Sequence, residues 1–337
     1  MIQQINKSTN QHKTFFSIFA ENLECMFKVP ILLIVYNRMF ETHNLFQVIR
    51  EIQPEKLYVA ADGPVSGNQQ DCADCLRTRT VIMPEWPCEL HTLHHEEHLG
   101  KSPAIHAAMK WFFEHEKEGI VLFEDCMPHP DFFSYCEELL ERYRDDKRIY
   151  HIGASNFRKH QKALKRKLKK HGDCSYYFSA YATTWGFATW ADRWEDFNMD
   201  LEELEQINFN QLVKNYTRRP KERRYWHRRY TIMRKNQLPV WDYLYNFHIW
   251  LNSAVAISPT LNLVTNVGVH PQGSKRKFRR LIKKAYPIMP LKHPEEIVMD
   301  NKADKFMFKN IYSKAYILIF TNWINDMLNA ANDDQEW

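Results

Sequence analysis

The sequence predicts an α/β fold, a mainly parallel, Rossmann-like sheet flanked by helices with a further C-terminal region. Three observations predict it. Residues 29–36, VPILLIVY, and 120–123, IVLF, are short apolar runs without polar alternation, the mark of strands buried on both faces. Strand, helix and strand follow one another within about 30 residues, the spacing of a βαβ unit. The second apolar run stops at two adjacent carboxylates, Glu124 and Asp125. Open α/β sheets bind ligands at such carboxyl ends of interior strands.

The elements follow in order. Residues 1–28 form a polar arm with one short helical piece over 15–27. The strand over 29–36 ends at Asn37 and Arg38, and 42–52 has helical character. A second strand, 57–61, ends in the turn Asp62-Gly63-Pro64. Helix 69–83, strand 90–93, a polar loop over 94–101 and helix 102–115 lead into the central strand 120–123. Pro128 and Pro130 forbid an immediate helix, and Asp131 is placed to cap an amphipathic helix starting near Phe132. A further short strand covers 150–155. The expected division is an arm over 1–28, a nucleotide-binding half over 29–155, a second half over 156–270 with a basic insertion, and a basic, helical tail over 271–337.

Composition narrows the class. A chain of 337 residues holds one large α/β domain or two smaller ones. Apolar and aromatic fractions of 44% and 14% exclude a mostly disordered chain, and nine glycines argue against repeats and long flexible linkers. Seven irregularly spaced cysteines read as reduced thiols of a cytosolic protein. Cys72 and Cys75 form a lone C-x-x-C pair with no histidines at finger spacing, which disfavours zinc. His91, His94, His95 and His98 mix strand and loop positions and share no helix face, so a histidine metal site is disfavoured as well. Residues 1–22 lack the apolar core of a signal peptide, and no apolar run reaches the ~20 residues that span a bilayer. The expected location is the cytoplasm, or the inner face of the membrane as a peripheral protein.

The net charge of +5 is small but unevenly spread. Basic stretches cover 158–170, 218–229 and 275–284. They are solvated faces or contacts to an anionic surface. With no nucleic-acid-binding motif beside them, anionic phospholipid is the better partner than nucleic acid. The apolar stretch 306–328 reads as a terminal helix packed on the domain.

Individual residues then suggest chemistry. Neither G-x-G-x-x-G nor G-x-x-x-x-G-K-[ST] is present, so dinucleotide-binding and P-loop sites are unsupported. The oxygens of Glu124 and Asp125 suit a hard divalent cation, which in turn can hold a diphosphate. The alternative is that Asp125 caps a turn and Glu124 is solvated. Arg38 can pair bidentately with phosphate, or make a surface salt bridge. The aromatic run 176–194 cannot be a solvated loop, and Trp185 and Trp190 are candidate sugar-stacking floors or core residues. Asp242, between Trp241 and Tyr243, suits a partly apolar niche that raises a carboxylate toward the working range of a general base. It could instead cap a helix over 243–252.

These stretches resemble GT-A glycosyltransferases, in the variant found in N-acetylglucosaminyltransferase I and a group of bacterial nucleotide-diphospho-sugar transferases. The family motif is Glu-Asp-Asp, a turn, then Pro-x-Phe-Phe. Aligned on Pro130-Asp131-Phe132-Phe133, this chain has Phe123-Glu124-Asp125. The last acid, which binds the metal in the family, is kept as Asp125, while Phe123 and Glu124 replace the first two. The resemblance implies that Arg38 follows the first strand near the phosphates, that Asp62 contacts the nucleotide base, and that Lys101 is the basic residue of the loop before the third helix. It places the aromatic run, with Trp185, beside the metal motif, and makes Asp242 of Trp241-Asp242 the general base. The family segment Asn-Leu-Val-x-Asn-Ile-Gly is matched by Asn262-Leu263-Val264-Thr265-Asn266-Val267-Gly268. His270 is then a candidate for a second metal or phosphate contact, although Pro271, Gly273 and basic residues replace the acidic extension of the family. The likeness spans roughly residues 29–270.

What it implies is a GT-A fold with an acceptor-side C-terminal region. The activity implied is metal-dependent transfer, with Mn²⁺ or Mg²⁺, of a hexosyl or N-acetylhexosaminyl group. The group moves from a nucleotide-diphosphate sugar donor to a hydroxyl of a glycan or lipid-linked glycan acceptor, with inversion. A nucleotidyltransferase of similar fold would need a Gly-rich, basic loop after the first strand, which is missing. A non-enzymatic basic protein bound to membrane or nucleic acid rests on the basic stretches alone. It leaves the acids and aromatics at successive strand ends unexplained.

Overall fold

The apolar runs become the middle of a sheet. In the computed structural model, residues 26–158, 161, 165–166, 173–201, 207–268 and 283–313 are described. Strands β1 (Ile31–Val35), β2 (Lys56–Ala61), β3 (Glu89–His94) and β4 (Glu118–Phe123) are parallel, in the order β3-β2-β1-β4. They are joined by helices α1 (Met39–Ile52), α2 (Gln69–Thr80) and α3 (Lys101–His115). The chain runs outward from β1 to β3 and then returns to the other side of β1. This reversal puts the switch point of the sheet between β1 and β4, the place at which open α/β sheets bind their ligands.

The sheet continues with β6 (Ile149–Gly153), β7 (Tyr176–Ser179), β8 (Phe187–Trp190) and β9 (Val255–Pro259). All eight strands lie in the order β3-β2-β1-β4-β8-β6-β9-β7. β8 is antiparallel to both β4 and β6, β6 and β9 are parallel, and β7 is antiparallel to β9. The fold is therefore mixed α/β around a mainly parallel sheet, as the sequence predicts, and strands from both 29–155 and 156–270 build it. Alternate residues of β1 feed two cores. Leu32 and Ile34 pack on one face, and Ile31, Leu33 and Val35 on the other. Burial on both faces is why these strands read as continuous apolar runs.

A second, two-stranded sheet pairs β5 (Cys126–Pro128) with β10 (Val264–Asn266). The prolines at 128 and 130 do forbid helix there, and Cys126–Pro128 pair as a strand rather than a bare turn. Helix α4 (Asp131–Tyr143) follows with Pro130 as its first flanking residue and no side-chain cap. Asp131 therefore does not cap its helix. Its Oδ2 accepts from the backbone N–H of Ile288 and Met289 at 2.7 and 2.9 Å, holding a segment 157 residues away. The aromatic run 176–194 is buried because it supplies β7, β8 and the short turn Ala191–Arg193.

The remaining helices are α5 (Phe209–Tyr216), α6 (Pro220–Lys235), α7 (Trp241–Leu251) and α8 (Asn301–Met307), the last continuing as a π-helical turn, Phe308–Tyr312. Among the described residues no helix is long and apolar enough to cross a membrane. Most of the arm with its helix 15–27, most of the basic stretches 158–170 and 275–284, and the tail beyond 313 lie outside the described residues.

Candidate active site

β1 and β4 are neighbours, with Ile34 opposite Phe123, so the residues that follow them meet. Glu124 N–H donates to the Ile34 carbonyl at 3.1 Å, which locks the two strand ends together. In return, the N–H groups of Tyr36 and Arg38 point at Glu124 Oε2, at 2.7 and 3.4 Å. Arg38 lays its guanidinium across both acids, Nη1 3.3 Å from Asp125 Oδ2 and Nε 3.6 Å from Glu124 Oε1. Glu124 is buried, and burial pushes its carboxyl up to about 7. The Tyr36 N–H and the Arg38 charge act the other way without overcoming it.

A third segment closes on this pair. Val267 N–H donates to the Asp125 carbonyl at 2.8 Å, so the end of β10 lies against the acidic turn. A Cβ at Gly268 would stand 2.3 Å from both Arg38 Nη1 and Asp125 Oδ2. Only glycine lets the backbone approach the ion pair this closely.

On the other side of β1, Asp62 and Asp71 organise the loops. Asp62 is buried and accepts from the N–H groups of Gly63, Leu99 and Gly100 at 2.9, 2.9 and 3.2 Å, with His98 Nδ1 3.0 Å from its Oδ2. Both its oxygens thus hold the turn that delivers Lys101, the first residue of α3. Burial, then the Asp125 charge, drives the Cys126 thiol upward, and the Lys101 charge opposes them. Asp71 accepts from Tyr36 OH at 2.6 Å and Asn37 Nδ2 at 2.7 Å, fixing the two residues that lead into Arg38.

The aromatic candidates separate. Trp190 is core, 1% exposed with Arg193 stacked over its ring at 4.4 Å. Trp185 is half-buried, edge-on to Phe157 at 5.0 Å, and is followed by Gly186 at φ +72°, packed against Leu122 and Val264. Its ring packs against Phe157 and keeps partial exposure, whereas Trp190 is no sugar floor.

Asp242 is the second residue of α7, whose N-cap is Val240 and carries no side-chain cap bond. Asp242 is therefore not the cap of this helix. Its neighbour Trp241 lies 6.0 Å from the ring of Phe123, the residue before Glu124, and donates its N–H to Ser102 Oγ at 3.4 Å. This brings the start of α7 to the same edge of the sheet as Asp125 and Lys101. Asp242 is half-buried and acts electrostatically on Tyr225 and Tyr312. His270 lies outside the described residues.

No family model matches this chain, and no curated protein matches it. Among solved structures it is similar to PcManGT, a mannosyltransferase from Pyrobaculum calidifontis in complex with GDP-Man and Mn²⁺, at 13% identity and a TM-score of 0.30. The match covers 49% of this chain and 45% of that one, so the chain spans less than half the length of that structure.

Among the described residues no three His, Cys, Asp or Glu side chains gather as a metal cage. Asp125, with its side chain 24% exposed next to Glu124, supplies the one- or two-carboxylate set with which Mg²⁺-like ions bind when phosphates complete their shell. The donor set thus fits an ion that arrives with a diphosphate. Sequence reasoning weighed His98 only as a disfavoured metal ligand rather than as the partner of Asp62, and missed Tyr36 and Asp71. Their only local signal is Asn68 three residues before Asp71, whose Oδ1 caps α2 through the Asp71 N–H.

Proposed function

We propose that the chain is a glycosyltransferase that moves a hexosyl or N-acetylhexosaminyl group from a nucleotide-diphosphate sugar to a hydroxyl of a glycan or lipid-linked glycan. The observation that carries this reading is the Arg38–Asp125 pair beside Glu124, at the carboxyl ends of β1 and β4 where the sheet's order reverses. Cation and carboxylate side by side there suit a diphosphate and its counter-ion.

In this reading 29–155 forms the donor half and 156–270 the acceptor half. Arg38 offers its guanidinium to the diphosphate, and Lys101 adds a second cation at the start of α3. Mn²⁺ or Mg²⁺ held by Asp125, with Glu124 beside it, would supply charge neutralisation of the leaving group. Trp185 offers a ring beside the sugar. Asp242 takes the proton of the acceptor hydroxyl as its oxygen attacks the anomeric carbon. The bond to the diphosphate oxygen breaks with its electron pair leaving on the nucleotide, so the anomeric centre inverts. The protein works in the cytoplasm, in part on an anionic membrane surface.

A thermal-shift screen of UDP- and GDP-sugars, each with and without Mn²⁺, tests this. A sugar-nucleotide should raise the melting temperature of the wild type, more with the metal, and Asp125→Asn should lose the metal-dependent increment. No stabilisation by any sugar-nucleotide would remove the reading.

A further inference from the structure

Away from the acidic turn, α6, α5 and the α8 end enclose a groove of about 1560 Å³. Among the described residues, nine lysine and arginine side chains line it against one carboxylate, Glu222. That carboxylate is buried and already engaged by Arg219, Thr217 and Tyr181. The cationic wall stands on an anchored helix. Trp226, Tyr230 and Met233 sink the opposite face of α6 into the core, and Trp226 is wholly buried. Lys221, Arg224 and Arg228 then fall at i, i+3 and i+7, one exposed stripe facing the groove. Lys305 and Lys309 stand on the facing wall. So many like charges on one rigid concavity focus a positive field and favour an anionic occupant.

The groove also has aromatic and catalytic neighbours. Tyr225 and Phe308 line it, with ring centroids 5.3 Å apart and nearly perpendicular, surfaces of the kind on which sugar C–H faces stack. Arg229 lies over the Tyr225 ring at 4.9 Å, and the Tyr225 hydroxyl is 3.0 Å from that of Tyr243, the residue after Asp242. The Asp242 charge reaches Tyr225. Tyr225 thus links the groove to Tyr243 and, electrostatically, to Asp242, which lies behind the lining rather than in it.

We infer that this groove binds the acceptor, and that the acceptor is an anionic glycan chain bearing carboxylate or phosphate groups. The α6 wall is 16 residues, about 24 Å long, which suits a chain rather than a compact ligand. A bilayer is the poorer occupant. The site is concave, and none of the exposed large apolar side chains among the described residues lines it. The role as acceptor site rests on the transferase reading; the binding itself does not.

The experiment measures affinity of the full-length protein by fluorescence polarisation, without donor or turnover. The probes are a labelled oligogalacturonate, a poly(glycerol phosphate), a neutral dextran, an oligonucleotide of equal charge, and phosphatidylglycerol vesicles. The wild type should bind the two anionic glycan probes in a salt-sensitive way and leave dextran unbound; which of them it prefers tells carboxylate from phosphate. The triple variant Lys221→Gln, Arg224→Gln, Arg228→Gln should weaken binding by about tenfold, since three exposed and screened charges are removed together. Lys305→Gln with Lys309→Gln should weaken it from the other wall, whereas Arg77→Gln, on the exposed face of α2, should not. Unchanged affinity in both groove variants overturns the proposal. So does binding to vesicles alone, or tighter binding of the oligonucleotide. Stabilisation by sugar-nucleotides in a protein that ignores both glycan probes would remove the groove and leave the transferase reading. Glycan binding without any response to sugar-nucleotides would do the reverse.

Discussion

Arg38 and Asp125, 87 residues apart in the chain, form an ion pair at 3.3 Å across the ends of two adjacent parallel strands. An ion pair this open to solvent contributes roughly 0–1 kcal/mol to stability. Its weight lies in where it puts charge, a guanidinium and a carboxylate at the carboxyl ends of β1 and β4.

Arg38→Ala should therefore weaken binding of UDP and GDP far more than it lowers the melting temperature. Loss of charge-assisted hydrogen bonds of about 1.5–3 kcal/mol corresponds to roughly a 10- to 100-fold rise in Kd by calorimetry. Arg38→Lys should recover only part of it, because an ammonium cannot bind two phosphate oxygens in a fixed fork. Wild-type nucleotide affinity in Arg38→Ala would sink the phosphate role.

Gly268→Ala tests the third wall. The new methyl group must displace both Arg38 Nη1 and Asp125 Oδ2, each 2.3 Å from it, and it also crowds Asp125 Cβ at 2.8 Å. Overpacking of this kind costs about 1–3 kcal/mol, and here it should appear as lost nucleotide affinity together with a modest drop in melting temperature. A variant unchanged in both would mean that β10 does not close on the pair.

Glu124 gives a pH prediction with a definite sign. Its carboxyl lies near 7 in the folded chain against an ordinary 4.5, because burial disfavours the charged form. The folded state holds this proton longer than the unfolded chain. The associated stability is full below about pH 4.5 and is lost as pH rises through about 7. The gap corresponds to roughly 3 kcal/mol as an upper bound. Asp304, raised by burial to about 6, acts in the same direction, while His151, lowered by burial to about 3, opposes it below 6.5. The difference between wild type and Glu124→Gln isolates Glu124. Melting temperatures between about pH 5 and 8 should fall less in the variant, and parallel curves would refute the assignment.

Asp242→Asn separates base from scaffold. Because Val240 and not Asp242 is the N-cap, the substitution should barely move the melting temperature. Donor affinity should hold, since the base acts on the acceptor. Turnover should drop by about 10²–10⁴, the usual contribution of general-base catalysis, once a working donor and acceptor are in hand. Wild-type turnover in a stable Asp242→Asn protein would leave the reaction without this base.

Much of the candidate site was legible because it rests on strand ends. The apolar runs before Asn37 and before Glu124 mark buried strands, and a polar residue straight after such a strand falls at the sheet's edge. That placed Arg38, Asp62, Glu124 and Asp125 just past strand ends, where the structure has them. It did not say that Asp62 is committed to the backbone of Leu99 and Gly100, nor that Trp190 is core while Trp185 is not. Both depend on neighbours distant in sequence, which periodicity does not encode. The cap reading of Asp131 failed for the same reason. The residue has the right type at the right place, but Ile288 and Met289 compete for its carboxylate and win.

The sequence by itself determined the parallel strands β1, β2 and β4, the helices between them, and the chemistry on offer at their ends, because strand burial and helix periodicity are local properties. Only the tertiary structure decided that β8 enters antiparallel between β4 and β6, that β5 pairs with β10, and that Gly268 closes on Arg38 and Asp125. Those pairings join segments scores of residues apart. They are selected by which arrangement buries both faces of the sheet and satisfies every strand's backbone hydrogen bonds at once, and no short window of sequence carries that condition.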